Sequence, residues 1–294
     1  MRGMSVAASP FLKELLEPVS EMRADNLLKQ YGLAERRSAR SFLRKHQVLE
    51  QSDGQAAPSR VLTAATKVNP AHVTVDGEPL PFTQPLHLAM YKPAGVSCTH
   101  AEDEGPTVFD MLPGMFQLRK PRLQCVGRLD RATTGLLLFT QSGQLNHRIT
   151  APSKGMAKVY KVRTAAPLCA SGREAAAFAS GALTLEDGSV CRPATLTPHP
   201  ADPHWCQVTL HQGMYHQVRR MFAAVGHAVV ALHRSAVGPL SLEGMGLLPG
   251  DWRPLQHSEL AALARATDSS TALPPTTFRR LSIAEAAAGV LASD

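Results

Sequence analysis

Leu136-Leu137-Leu138-Phe139 is the run that most restricts how this chain can fold. A short apolar stretch bounded by turn residues reads as a strand buried in a core. The turn before it is Thr133-Thr134-Gly135, and before that comes Gly127-Arg128-Leu129-Asp130-Arg131. The strand therefore ties a loop acid, Asp130, to the edge of a core. Asp130 sits between two arginines, and nearby positive charge favours a carboxylate anion. Such a group can serve as a nucleophile. It can equally cap its own turn or pair with an arginine, as loop aspartates commonly do. On this stretch alone the structural reading has the better of it.

A second stretch, Gly213 to Gly226, has Val218, Met221, Phe222 and Val225 at helical spacing. They predict one buried helix face, with Gly226 as the stop. His216, Arg219, Arg220 and Ala223 then point the other way, and the two arginines suit a carboxylate or phosphates. Residues 86–91 predict a strand followed by Lys92-Pro93-Ala94-Gly95, with Lys92 as a candidate phosphate contact. Lys158 to Val162 alternates polar and apolar residues and predicts a strand carrying Tyr160. A tyrosine in a basic strand is ordinarily packing, although a nucleobase can stack on it.

The chain divides into residues 1–21, a flexible extension; 22–84, a small domain; 86–262, a larger domain; and 263–294, a tail with a short alanine-rich helix near 282–292. Pro79, Pro81 and Pro85 stiffen the connection between the two domains. The small domain predicts two helices, from Arg23 to Tyr31 and from Glu35 to His46, then strand pieces around an Asp76-Gly77 hairpin turn. Residues 22–48 hold seven Lys/Arg against two Asp/Glu, a balance of +5. Arg36, Arg40 and Arg44 recur at i, i+4 and i+8, which aligns them on one face. A stripe of this kind is a solvated surface or a grip on a phosphate backbone.

The whole chain carries a net charge of +7, which points to a polyanionic partner. No apolar run approaches the roughly 20 residues of a spanning helix, and no signal peptide is evident. The five cysteines are an odd number with no Cys-x-x-Cys pair, which favours a reducing cytoplasm. The twelve histidines form no metal-ligand spacing. Neither a phosphate loop nor a dinucleotide fingerprint is present, so no metal and no cofactor are expected.

Residues 22–84 resemble the small RNA-binding module named after a small-subunit ribosomal protein, through Arg23-Ala24-Asp25, the 33–40 segment with Arg36, Arg37 and Arg40, and Val73 to Leu80. Four further motifs occur in one order: Lys92-Pro93-x-Gly95, Gly127 to Asp130, Lys158-x-Tyr160, and Tyr215-His216-Gln217-Val218-Arg219-Arg220-Met221. Together they resemble the bacterial ribosomal pseudouridine synthases over residues 22–260. The stretches 143–152 and 215–234 look nearest to the small-subunit branch. The resemblance implies an α+β chain whose catalytic domain is a mixed, mostly antiparallel sheet in two halves with a central cleft. It implies Asp130 as the catalytic aspartate, Tyr160 as the residue packing on the target base, and Arg219 as the partner of Asp130. It places Leu232 and Arg128 in the pocket, and assigns Arg36, Arg37, Arg40, Arg44, Lys92, Lys158 and Arg220 to RNA. The expected reaction is conversion of one uridine of 16S ribosomal RNA to pseudouridine, with base flipping and no cofactor, by a monomer acting on rRNA or an assembly particle. The alternatives are a large-subunit (23S) enzyme and an inactive assembly factor. The family usually has Glu-Gly-Arg or Glu-Gly-Lys where this chain reads Gln212-Gly213-Met214, which bears on rate or RNA affinity.

Overall fold

The computed structural model describes Phe11, Leu15 and residues 21–51, 60–82, 85–101, 105–169 and 171–268. The helix expected near 282–292 lies outside these residues. Chain packing gives two compact units. The first comprises residues 1–87, 112–124 and 140–142, and the second residues 88–111, 125–139 and 143–294.

In the first unit β1 (Met22–Arg23) leads into helix α1 (Ala24–Gln30), which is followed by α2 (Ala39–Lys45). The strands β2 (Val48–Glu50), β3 (Arg60–Val61), β4 (Lys67–Val68), β5 (Val73–Val75) and β6 (Glu78–Pro79) complete it. Four of them form a sheet in the order β3-β2-β5-β6, and β1 pairs with β4. Leu27, Tyr31, Val48, Leu62, Val68 and Val73 form the core, with Phe42 and Leu43 packed against it. The β5–β6 turn is the expected one. Asp76 and Gly77 have φ of 51° and 89°, the paired left-handed geometry of a tight hairpin. Asp76 also holds His46 at 2.7 Å and accepts the Gln47 N–H at 2.8 Å.

Three features differ from expectation. Helix α2 starts at Ala39, so Arg36 and Arg37 occupy the turn before it and only Arg40 and Arg44 lie on the helix. Phe11 and Leu15, in the expected flexible extension, are buried. Residues 112–124, including α3 (Gly114–Leu118), pack within the first unit although they follow the proline connection. Arg119 there donates to the Phe82 carbonyl at 2.9 Å and lies 4.4 Å over the Tyr31 ring. The Lys120 N–H donates to the Gln30 carbonyl at 2.8 Å.

The second unit holds a nine-stranded sheet. Its elements are β7 (His87–Lys92), β8 (Gln124–Val126), β9 (Thr134–Thr140), α4 (Gly143–Thr150), β10 (Lys158–Thr164), α5 (Arg173–Ala179), β11 (Thr195–His199) and β12 (Asp202–Leu210), then α6 (Gln217–Ala224), β13 (Val229–Val237), β14 (Leu240–Ser241), α7 (Leu242–Met245), β15 (Trp252–Pro254) and α8 (His257–Asp268). The order is β11-β12-β10-β13-β9-β7-β15, with β14 on β13 and β8 on β9. Adjacent strands run antiparallel at β11–β12, β12–β10, β10–β13 and β7–β15, but β13 and β9 are parallel. The sheet is thus mixed and mostly antiparallel, and the parallel step divides it into two halves. Strand β9 is buried along its full length, as its apolar run requires.

At the parallel step Arg234 pairs with Gly135, whose φ is 114°. A Cβ on Gly135 would run into the Arg234 backbone carbonyl, so only glycine lets the two strands meet there. Helix α8 runs on to Asp268, past residue 263 where the tail was expected to begin, and buries Leu260, Leu263 and Ala264. Among the described residues no helix is long and apolar enough to cross a membrane.

Candidate active site

The loop ahead of β9 brings Asp130 to the junction of the two sheet halves. Several groups fix its backbone. The Thr133 N–H donates to the Asp130 carbonyl at 3.0 Å. Lys92, at the end of β7, is 0% exposed, and its ammonium donates to the carbonyls of Pro93, Arg131 and Thr133 at 3.0, 3.2 and 2.9 Å. Three oxygens satisfy all three donors of an ammonium. Lys92 is therefore a brace under the loop and not the phosphate contact expected from its position after a strand. On the other side Arg234 is 1% exposed and donates to the carbonyls of Leu136 and Gly127, each at 2.9 Å.

Helix α6 supplies the partners of the carboxylate. The turn from Gly213 to His216 enters the helix with His216 as its left-handed N-cap, φ 47°. That conformation turns the imidazole toward Asp130, and Nε2 lies 3.3 Å from Oδ1. Arg219, one turn on, brings Nε to 3.9 Å from Oδ2 and donates through Nη1 to the Val229 carbonyl at 2.9 Å. Thr133 Oγ1 lies 3.4 Å from Oδ2. Val218, Met221 and Phe222 are buried beneath, as the helical spacing predicts. The arginines adjacent in sequence are not the partners that this geometry assigns to Asp130. Arg131 turns its Nε to the Gly95 carbonyl at 3.0 Å, while Arg128 is exposed on the cleft wall.

The carboxylate opens on a cleft of about 660 Å³. Tyr160 and Leu232 line it as buried groups, on β10 and β13. Lys158, Arg128 and Arg234 line it as cations, and Asp130 is the one carboxylate among the described lining residues. Burial first, and the Arg234 charge to a smaller extent, pull the Lys158 and Lys92 ammonium groups down to about 8. Such mutual repulsion marks a concentrated positive region, which attracts an anionic strand. Lys158 is itself buried, with Nζ on the Met156 carbonyl at 3.0 Å.

Cys98 also lines the cleft. Its thiol is drawn below the usual range by a hydrogen bond with Cys125, the Leu129 N–H and the charges of Lys92 and Arg234, although burial opposes this. The two residues that depart from the family pattern face the same space. Gln212 is buried with Nε2 3.6 Å from the Met214 sulfur, and the Met214 N–H donates to Gln217 Oε1 at 3.0 Å.

Sequence reasoning thus brought Asp130, Tyr160, Arg128, Lys158 and Leu232 to one cleft, with Arg219 on the carboxylate. Arg220 is elsewhere. Its guanidinium is held by Asp187 at 2.5 Å and by Glu186 at 3.4 Å, which occupies the charge expected for RNA. Arg36, Arg37, Arg40 and Arg44 are exposed on the first unit. Three participants were not anticipated as site residues: His216, Arg234 and Cys98. His216 stood in a quoted motif, but only its left-handed backbone brings it to the acid. Among the described residues no group of three or more His, Cys, Asp or Glu is placed to hold a metal ion.

The family model described as RNA pseudouridylate synthase matches residues 87–224. The chain is 36% identical over 247 residues to ribosomal small subunit pseudouridine synthase A of Salmonella typhimurium, covering 82% of this chain and 100% of that protein. It is 38% identical over 208 residues to the protein of the same name in Escherichia coli, covering 69% of this chain and 85% of that one. A crystal structure of a pseudouridylate synthase aligns with TM-score 0.53 and 30% identity, covering 82% of this chain and 99% of the other.

Proposed function

This chain belongs to the RNA pseudouridylate synthase family, and on that premise we propose that it converts a uridine of small-subunit ribosomal RNA to pseudouridine in the cytoplasm. The observation that carries the reading is Asp130, held between His216 and Arg219 on a cationic cleft that also presents Tyr160. The reaction breaks the N1–C1′ bond of uridine, rotates the freed uracil, and forms a C5–C1′ bond. The C5 proton is lost and N1 gains one, so the product is an isomer. Atoms balance without a redox partner or a transferred group, and no cofactor is required.

The target base must first leave its stack, at a cost of a few kcal/mol. Tyr160 and Leu232 offer it an apolar slot, and the cations of the cleft hold the backbone around it. Asp130 then acts on the ribose or the base. Arg219 and His216 fix its two oxygens, so that one geometry is presented. The exposed arginines 36, 37, 40 and 44 grip phosphates elsewhere on the rRNA or on an assembly particle. In this reading the protein acts as a monomer.

The test is carbodiimide mapping of pseudouridine in ribosomal RNA from cells lacking the protein, beside the parent strain. Loss of one small-subunit signal is expected. Loss of a large-subunit signal instead keeps the reaction and overturns the branch. No loss, with the protein expressed in the parent, overturns the proposal.

A further inference from the structure

Tyr215 is 71% exposed at the rim of the cleft, an unusual position for a large aromatic ring. Its placement is not loose. One face lies on the His216 imidazole, with centroids 3.9 Å apart and planes 16° from parallel. Its carbonyl accepts from Arg220 Nη1 at 3.3 Å, and Arg220 is tied in turn to Asp187 and Glu186. The ring is thus held by its neighbours with its second face turned to solvent. His216 meets Asp130 through Nε2 at 3.3 Å, so the stack ends at the reactive carboxylate. His216 holds a left-handed φ of 47°, a conformation that is unfavourable for a residue with a Cβ. That conformation places both rings.

We propose that the free face of Tyr215 is a second base-binding site, taking an unpaired nucleobase next to the target uridine. This rests on the functional reading above. Extruding a base leaves its neighbour without a stacking partner, and a flat ring at the cleft mouth replaces what is lost. Every nucleobase has a π-face, so aromatic platforms accept them with little sequence preference. The surrounding wall is cationic through Arg128, Lys158 and Arg234, which suits a base attached to a phosphate backbone better than an apolar peptide. Tyr160 is buried deeper and serves the target base, so the two tyrosines do not compete.

The test is steady-state kinetics on transcribed small-subunit rRNA, comparing wild type with Tyr215→Ala, Tyr215→Phe and Tyr215→Trp. Release of tritium from C5-labelled uridine reports turnover. Loss of one stacked base predicts a KM raised about ten- to a hundredfold in Tyr215→Ala. Its kcat stays within a few-fold of wild type, and Tyr215→Phe and Tyr215→Trp keep a near-normal KM because they keep a flat face. An unchanged KM in Tyr215→Ala overturns the proposal. So does a Phe variant as impaired as the Ala variant, or a fall confined to kcat, which would make Tyr215 only a support for His216. A wild type with no turnover on any rRNA fails the functional reading itself. An active wild type with an unaffected Tyr215→Ala variant fails only the platform.

Discussion

The buried ammonium of Lys92 donates to the carbonyl of Thr133 at 2.9 Å, and the same group reaches the carbonyl of Arg131. Both carbonyls follow Asp130 closely along the chain. A charge buried behind the loop therefore sets the backbone from which the Asp130 carboxylate projects. The acid points into the cleft because the peptide groups around it are already held.

Replacing Lys92 with methionine removes the donor that the Pro93, Arg131 and Thr133 carbonyls share, although the Arg131 carbonyl keeps the Gly95 N–H at 2.9 Å. The expected result is a kcat at least about tenfold lower with RNA affinity preserved, the pattern of lost positioning. Stability gives a second readout. The folded Lys92 group titrates near 8 against 10.5 for a free lysine, so between those pH values the unfolded chain binds more protons. Stability then rises with pH across that window, by on the order of 3 kcal/mol from this group. Denaturant unfolding from pH 7.5 to 10.5 should show a steeper rise in wild type than in Lys92→Met. Equal slopes would remove the assignment.

Asp130→Asn keeps the shape of the side chain and removes its charge. Turnover should fall at least about a thousandfold, while rRNA binding in a filter assay stays near wild type. Arg219→Ala leaves His216 to face the carboxylate alone, and a loss of about a hundredfold in kcat is expected. Arg219→Lys recovers only part of it, because an ammonium cannot serve both Asp130 and the Val229 carbonyl. Normal turnover in Asp130→Asn would overturn the mechanism at its centre.

Local patterns made some of this structure readable in advance. The run 136–139 is β9, the spacing of Val218, Met221 and Phe222 is the core face of α6, and Asp76-Gly77 is a hairpin turn. Each depends on residues near one another in sequence. What stayed hidden depends on distant partners. A lysine after an apolar strand looks like a surface cation until Arg131 and Thr133 fold back over it. Arg220 looks free for phosphates until Glu186 and Asp187 arrive from a turn some thirty residues earlier. Nothing in the sequence shows that His216 adopts a left-handed backbone, or that residues 112–124 pack with α1.

The parallel contact of β9 and β13 gives a stability prediction. Gly135→Ala sets a methyl group against the Arg234 backbone at φ 114°. Overpacking and the left-handed strain together should cost about 3 kcal/mol or more. Thermal unfolding should show a large loss. Gly143→Ala, where an added Cβ meets nothing, should stay near wild type. A Gly135→Ala protein as stable as wild type would mean the strands can separate locally at no cost.

Cys98 should be the reactive thiol of the cleft. The hydrogen bond from Cys125, the Leu129 N–H and the nearby cations favour its thiolate, whereas the same hydrogen bond and burial push the Cys125 thiol upward. Cys169 is exposed and also lowered, so the test belongs in a Cys169→Ser background. Iodoacetamide near neutral pH should label Cys98 before Cys125, as peptide mass analysis would read. Turnover should fall in step, because the adduct occupies the cleft beside Asp130. Preferential labelling of Cys125 would reverse the assignment.

The arginines of the first unit can be tested through salt. Arg36, Arg37, Arg40 and Arg44 are all exposed on the first unit. If they hold phosphates, each contact releases a counterion on binding. The slope of log affinity against log salt then becomes shallower by about 0.7 to 0.9 for every contact removed. Changing all four to glutamine should flatten that slope by about 3 and weaken rRNA binding most at low salt. Catalysis once bound should be unchanged, because Asp130 and its partners His216 and Arg219 all belong to the second unit. Filter binding over a range of potassium chloride, followed by single-turnover rates at saturating protein, separates the two effects. A salt slope equal to wild type would make these arginines a solvated surface. A reduced single-turnover rate would instead mean that the first unit presents the target uridine to the cleft as well as gripping the strand.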